Sequence, residues 1–347
     1  MPATTILLCS VLCLLTLTTS GGALAGAPGR PHQDDSGMGV LRRAAKAGQE
    51  VAYEGVQFVS SRNGHDTATG LVDIVHRPGE GTSLSPAEPA ADREGLVAGP
   101  PSSWPDLDDR LLDLLGANYR VVRTGQGEVC GRAATVVEAH RADGSVAGRF
   151  WTDDETGLLL RRETFDSAGR VAQSGAFLSI DLAPDAVLLT DSDSRGRLWG
   201  DTLDAAERVR LESGGWRLPE RLAAGLALVE TRSTGSGADR IVHLSYSDGL
   251  SLVSVFVQQG RLEMKSGGSA GLRPVHEDGG TVYVAETGQH RRIWEAGGFV
   301  YTLMADAPTE TVETAAEGLP SPDGSGFWAR VLRGFTRFGT WLGLTAP

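Results

Sequence analysis

Lysine is almost missing from this chain. Of 32 basic residues only Lys46 and Lys265 are lysines, and 44 acidic residues leave a formal net charge of −12 over 347 residues. A phosphate backbone is gripped by clustered cations that displace its counterions, so this balance argues against a nucleic-acid partner. Cysteine is scarce as well, with only Cys9, Cys13 and Cys130. Past residue 17 no run reaches the roughly 20 apolar residues that a bilayer-spanning helix needs. The histidines His32, His65, His76, His140, His243, His276 and His290 are scattered, and none is paired at zinc-ligand spacing. Neither a metal nor another cofactor is implied.

What is present suffices for folding. A hydrophobic share of 40% and a charged share of 22% give enough apolar surface to offset the entropy of ordering, and the length leaves room for two ordinary domains. Residues Ile6 to Leu17 form a 12-residue apolar run followed by Ala23, Leu24 and Ala25, a small-x-small site. This reads as a secretory signal over residues 1–25 and implies an extracytoplasmic protein, periplasmic or secreted. Its removal takes Cys9 and Cys13, so Cys130 has no intrachain partner and is expected to be a small buried hydrophobe.

A polar leader, 26–37, precedes a short amphipathic helix over Gly39–Glu50. The apolar period then switches to two, and seven strands follow: Tyr53–Val59, Gly70–His76, Tyr119–Thr124, Ala133–Arg141, Val146–Thr152, Leu158–Phe165 and Val171–Leu182. Turns at Ala142-Asp143-Gly144, Asp154-Glu155-Thr156-Gly157 and Asp166-Ser167-Ala168-Gly169 make the sheet antiparallel. Pro78 to Pro105 holds six of the 16 prolines and is expected to be a loop. Asp106 is expected to cap a helix that ends at Gly116. Residues 183–213 are acidic, without a strong strand period, and read as a linker.

A second block, 214–318, predicts strands near Leu226–Ser233, Ile241–Tyr246, Leu250–Gln258, Val282–Glu286, Arg291–Glu295 and Phe299–Met304. The apolar run from Leu250 to Val257 suggests a strand buried on both faces. Asp306 as cap and Pro308 in the first turn predict a helix over Thr309–Glu317. The fold class is α+β: an antiparallel half-barrel with helices over 38–182, then a smaller antiparallel sheet with a helix. The remainder, 319–347, is basic and amphipathic. Phe327, Trp328, Val331, Leu332, Phe335, Phe338, Trp341 and Leu342 share one side of a helical wheel opposite Arg330, Arg333 and Arg337, a pattern that fits the headgroup region of an anionic membrane. A tail packed on its own domain is the competing reading.

Several residue groups carry a family resemblance: Leu41 to Val59 with Tyr53-Glu54-Gly55, Asn118-Tyr119 with Gly131-Arg132-Ala133, Phe150-Trp151-Thr152-Asp153, Glu155-Thr156-Gly157-Leu158, Trp216-Arg217-Leu218-Pro219, and Tyr246-Ser247-Asp248-Gly249-Leu250 leading to Ser254-Val255-Phe256. In these the chain resembles the MucB/RseB regulators of sigma-E-type envelope stress response, as a divergent, Arg-rich relative. The resemblance implies a lipoprotein-carrier-like (LolA-like) half-barrel with an apolar cavity and a C-terminal domain that holds the partner. That partner would be the extracytoplasmic part of a membrane-bound anti-sigma factor, released when a lipid or other apolar ligand binds. A lipid carrier or sensor without such a partner is the alternative.

Val56, Phe58, Val72, Ile74, Phe150, Leu160 and Phe177 alternate along the strands and are the candidates to line the cavity, unless that face is an ordinary filled core. Tyr246, Ser247, Asp248 and Gly249 are the candidates for partner contact. The same four residues also make a strong hairpin turn. No catalytic residue is assigned. Gly267-Gly268-Ser269-Ala270-Gly271 matches a nucleophile-elbow pattern but lies in a polar, glycine-rich stretch, and the acid pairs Asp108-Asp109 and Asp153-Asp154 point apart.

Overall fold

The computed structural model describes residues 36–64, 66–87, 107–182, 184, 200–262, 272–277, 279–285 and 289–323. The expected signal at 1–25, Ser269, residues 185–199 and the amphipathic tail from Phe327 to Leu342 lie outside the described residues.

In the first domain α1 (Gly37–Glu50) starts where the Ser36 hydroxyl accepts the Gly39 N–H at 3.1 Å. Strands β1 (Tyr53–Asn63), β2 (Asp66–Arg77) and β3 (Gly81–Pro86) precede α2 (Asp109–Asn118). Strands β4 (Arg120–Val129), β5 (Arg132–His140), β6 (Val146–Asp153), β7 (Leu159–Phe165) and β8 (Val171–Asp181) follow it. All pair antiparallel in the order β3-β2-β1-β8-β7-β6-β5-β4. The three anticipated hairpin turns close as expected, with Asp166 N–H on the Arg170 carbonyl at 2.9 Å in the last.

Two expectations are corrected here. The loop from Pro78 contains β3, whose Thr82-Ser83-Leu84-Ser85 has no apolar alternation to announce it but completes the edge beside β2. The cap of α2 is Asp108 rather than Asp106: its carboxylate accepts the Leu111 N–H at 2.7 Å. Leu107, just before that cap, and Leu112 in the first turn lie in one buried cluster, which fixes the angle at which the chain enters the helix.

Helix α1 packs across β4 to β7, and α2 packs on α1 and β4. Leu41, Leu112, Leu115, Val137 and Phe150 are completely buried between them, each large side chain contributing about 1.5–3 kcal/mol. Cys130, expected inside, is exposed on the β4–β5 turn with φ +45°, because a residue that turns a two-strand corner has no core to enter.

Among the described residues the second domain is also an eight-stranded antiparallel sheet, β13-β14-β15-β16-β12-β11-β10-β9, rather than the smaller one expected. Its strands are β9 (Asp201–Thr202), β10 (Ala227–Thr234), β11 (Ile241–Ser247), β12 (Leu252–Gln259), β13 (Leu272–Glu277), β14 (Gly280–Ala285), β15 (His290–Ala296) and β16 (Phe299–Asp306). The stretch read as a linker supplies β9 and α3 (Ala205–Ser213), which Asp204 caps through the Glu207 N–H at 2.7 Å. Strand β12 is buried completely on one face, at Val253, Val255 and Val257, and only half-buried on the other.

Helix α4 (Thr309–Glu317) has the expected bounds but a different start. Pro308 is its cap residue, and Asp306 caps nothing in it, its carboxylate accepting instead from Gln173 at 3.3 Å and Gln289 at 3.2 Å. The core of this domain joins Leu244, Tyr246, Trp294, Tyr301 and Leu303 to Val312 and Ala315 of α4 and to Trp216 and Leu218. Trp216-Arg217-Leu218-Pro219 thus serves the fold, and the Pro219 carbonyl accepts the Tyr246 hydroxyl at 2.7 Å.

Candidate functional site

Residues 246–251 form the β11–β12 turn, and the turn chemistry is as read from the sequence. The Asp248 carboxylate accepts the N–H groups of Leu250 and Ser251 at 2.8 and 2.6 Å, and the Ser247 hydroxyl accepts the Gly249 N–H at 3.0 Å while donating to the Ser251 carbonyl at 2.7 Å. Tyr246, Ser247 and Asp248 are at most 2% exposed because the turn is driven into the first domain.

Leu250 belongs to the core cluster of Val40, Leu41, Leu112, Leu115 and Phe150, across the domain boundary. The Tyr119 hydroxyl donates to the other Asp248 oxygen at 2.6 Å, Asn118 donates its side-chain N–H to the Asp248 carbonyl at 3.0 Å, and Arg162 donates to the Leu250 carbonyl. Burial, then the neighbouring Asp248 carboxylate, pushes the Tyr119 hydroxyl well above its usual range. Asn118-Tyr119 and the Tyr246–Leu250 turn, two of the motifs noted in the sequence, therefore meet each other.

Arg162 stands beneath this turn, its guanidinium 5.6 Å from the centre of the Phe150 ring. Burial lowers it to about 10, opposed by Asp248 and Asp306, so it stays charged at neutral pH. Burial raises Asp306 to about 6, an effect that its two amide donors and Arg162 only partly oppose. A carboxyl whose folded value lies above its unfolded value of about 3.9 binds its proton more tightly in the folded protein, so stability falls as pH rises through roughly 4 to 6. The difference between wild type and Asp306→Asn in denaturation midpoint is expected to move across that window by the equivalent of about 3 kcal/mol, the wild type gaining on acidification. A difference independent of pH would count against a buried ionised Asp306.

Sequence motifs also spend themselves on the turn after β6. Asp153, 4% exposed, accepts from Arg132 at 2.8 and 3.0 Å and from the Thr156 N–H and hydroxyl at 2.8 and 2.7 Å. Burial acts to raise this carboxyl, and the Arg132 and Thr156 hydrogen bonds outweigh it and hold it low. These residues lock a hairpin.

The concave face of the first sheet is filled under the helices and less covered beyond them. Val72, Ile74, Leu160 and Phe177 share one buried cluster and Phe150 lies in the other. Val56 and Phe58 do not join them. Phe58 pairs with Leu71, Val56 with Asp73 and Gln57 with Val72, so Gln57 shares the face of Val72 while Val56 and Phe58 point outward; Phe58 is 37% exposed and Leu71 38%.

On the inner side of β1, β2, β3 and β8, away from the strands that α1 covers, Tyr53, Val59, Leu84 and Ile180 are only half-buried. They edge that buried cluster beside Gln57 and His76, which are both buried. Sequence reasoning passed over both polar residues. An outward-directed open concavity also exists in the second domain, about 400 Å³, between Trp294 of β15 and Glu313 and Glu317 of α4.

Residues 90–196 match the family model described as the MucB/RseB N-terminal domain. Among curated proteins none matches. The crystal structure of MucB is similar over 81% of this chain and 97% of its own, at 21% identity and a TM-score of 0.50. The complex of MucA and MucB from Pseudomonas aeruginosa matches over 83% of this chain and 99% of that one, at 20% identity and a TM-score of 0.47. A LolA superfamily protein from Nitrosomonas europaea aligns at 10% identity over 80% of this chain and 97% of its own, with a TM-score of 0.19.

Proposed function

We propose that this chain, whose residues 90–196 match the MucB/RseB N-terminal domain model, is an exported, non-catalytic regulator that binds the extracytoplasmic part of a membrane-bound anti-sigma factor and answers to a lipid or other apolar ligand. The family match is the observation that carries this reading. MucB itself has been crystallised with MucA, and the counterpart here would be a protein of the same kind. Two features of the chain support the division of work. On the first sheet the half-buried side chains of Tyr53, Val59, Leu84 and Ile180 edge the buried cluster and offer the apolar surface that an acyl chain requires. The second domain is tied to the first through a buried turn, so its contact with a partner belongs on its remaining open surface rather than at Tyr246–Gly249.

Affinity capture tests the proposal. The full chain, used as bait on solubilised envelope, is expected to retain a single-span protein whose extracytoplasmic segment alone binds in a second assay, and added lipid is expected to release it. Lipid recovered by native mass spectrometry with no protein partner would overturn the regulator and leave the lipid carrier, a reading that the half-buried apolar side chains of the first sheet favour independently.

A further inference from the structure

The concavity of the second domain has an apolar floor and a charged rim. Val282 of β14 and Trp294 of β15 lie buried at its base. Glu277 and Arg292 pair with each other on the strand side, while Glu313 and Glu317 stand on the helix side, one turn apart on α4. Both α4 glutamates are exposed, and neither has an ion-pair partner among the described residues. Like charges at i, i+4 repel each other, so this part of the rim favours a cation. The chain itself runs along the mouth, where Pro320, Ser321 and Pro322 line it. The Pro320 carbonyl accepts the Trp294 indole N–H at 2.8 Å. Asp323 is pinned beside it: its N–H donates to the Glu295 carbonyl at 2.8 Å, and its carboxylate accepts the Gly297 N–H at 2.7 Å. The chain therefore leaves the second sheet from a fixed point on the rim.

From this we infer that the chain's own C-terminal segment, from Phe327 to Arg337, docks in this concavity as an intramolecular cover. Gly324-Ser325-Gly326 follows Asp323 directly, and a link of that composition reverses direction freely. Phe327 and Trp328 come next, and Arg330 and Arg333 lie within ten residues of the pinned point. Ten residues reach at most about 35 Å, far more than the width of one helix beside one strand. An aromatic side chain of the segment then covers Val282 and Trp294, while Arg330 and Arg333 meet Glu317 and Glu313. Their spacing of i, i+3 matches the one-turn spacing of the two glutamates. Because the basic segment and the acidic rim belong to one chain, each meets the other at an effective concentration on the order of millimolar. That favours this pairing over capture of the segment by an anionic membrane or by a second copy. A partner that uses this part of the second domain must first displace the cover. The inference stands independently of the regulator reading.

The test is hydrogen exchange on the full chain, followed by mass spectrometry of its peptides. At low salt the amides of residues 327–337 are expected to exchange about tenfold more slowly than a free peptide of the same sequence. That protection should fall in about 0.5 M salt, which screens exposed pairs. Arg330→Glu with Arg333→Glu should abolish it, and so should Glu313→Arg with Glu317→Arg. All four changes together should restore it, a rescue that a merely structural role of α4 does not produce. Exchange in β12 reports whether each variant is folded, and the tail variant leaves both sheets unaltered. Exchange at the free-peptide rate in the wild type would overturn the cover. Protection that survives both charge reversals would place the segment elsewhere, and protection that grows with protein concentration would assign it to a second copy. Protection that appears only with vesicles containing phosphatidylglycerol would make the segment a membrane contact, and each of these three results also overturns the inference.

Discussion

Gly249→Ala is expected to cost more than about 4 kcal/mol and to separate the two sheets into independently melting units. Gly249 has φ +95°, and a Cβ placed on it would lie 2.3 Å from the backbone nitrogen of Leu115 and 2.5 Å from its Cα. Leu115 is a fully buried residue of α2, and a helix backbone packed on a sheet does not give way by an ångström. The turn would have to back out instead. Leu250 would leave the first core, and Asp248 would lose Tyr119 and Asn118. Left-handed backbone alone accounts for about 1–2 kcal/mol of the loss. Gly169→Ala isolates that share, since Gly169 has φ +75° and nothing within 4 Å of its Cβ position. Urea denaturation followed by tryptophan fluorescence compares the two, and equal costs would mean that the approach of turn to helix is not a rigid contact.

That close approach marks the boundary of what the sequence discloses. The turn type at Ser247-Asp248-Gly249 was legible because it depends on residues adjacent in the chain. Its docking against α2 joins positions about 130 residues apart, Tyr119 and Asp248, and no local pattern encodes such a pair. Strands with a clean period of two were readable, as were hairpins closed by Asp and Gly. Strand β3 was not, being polar but for Leu84 and Pro86, nor was β13, which carries Pro274 at the edge of its sheet where a missing donor does no harm.

The outward turn of Val56 and Phe58 was written in the sequence and overlooked. Asn63-Gly64 is a hairpin signature, and a loop closing between Asn63 and Asp66 sets even-numbered residues of β1 opposite odd-numbered residues of β2. Val56 and Phe58 therefore share a face with Asp73 and Leu71, not with Val72 and Ile74. The same register places His76 inside.

Arg162→Met is expected to destabilise the protein by about 3–5 kcal/mol at pH 7, although the replacement is apolar and similar in length. Removing one member of a buried charge group does not convert the site into a hydrophobic one. Asp248 keeps its Tyr119 and backbone donors, but the cation that faces it and Asp306 is gone, and the Leu250 carbonyl loses its donor. Two carboxyl groups in a buried site then share no counter-charge, so the proton affinity of Asp306, already raised, should rise further. Three results follow from that chain of causes. The loss should shrink as pH falls from 7 towards 5, because a protonated Asp306 needs no cation. Arg162→Met combined with Asp306→Asn should recover at least about 1 kcal/mol relative to the single variant, as groups sharing one network do not add. Arg162→Lys should recover little, since an ammonium cannot reproduce a planar guanidinium that lies near the Phe150 ring and reaches the Leu250 carbonyl. A cost below about 1 kcal/mol for the single variant, or a double variant no better than the sum of its parts, would show that Arg162 fills space beneath the turn without holding the two sheets by charge.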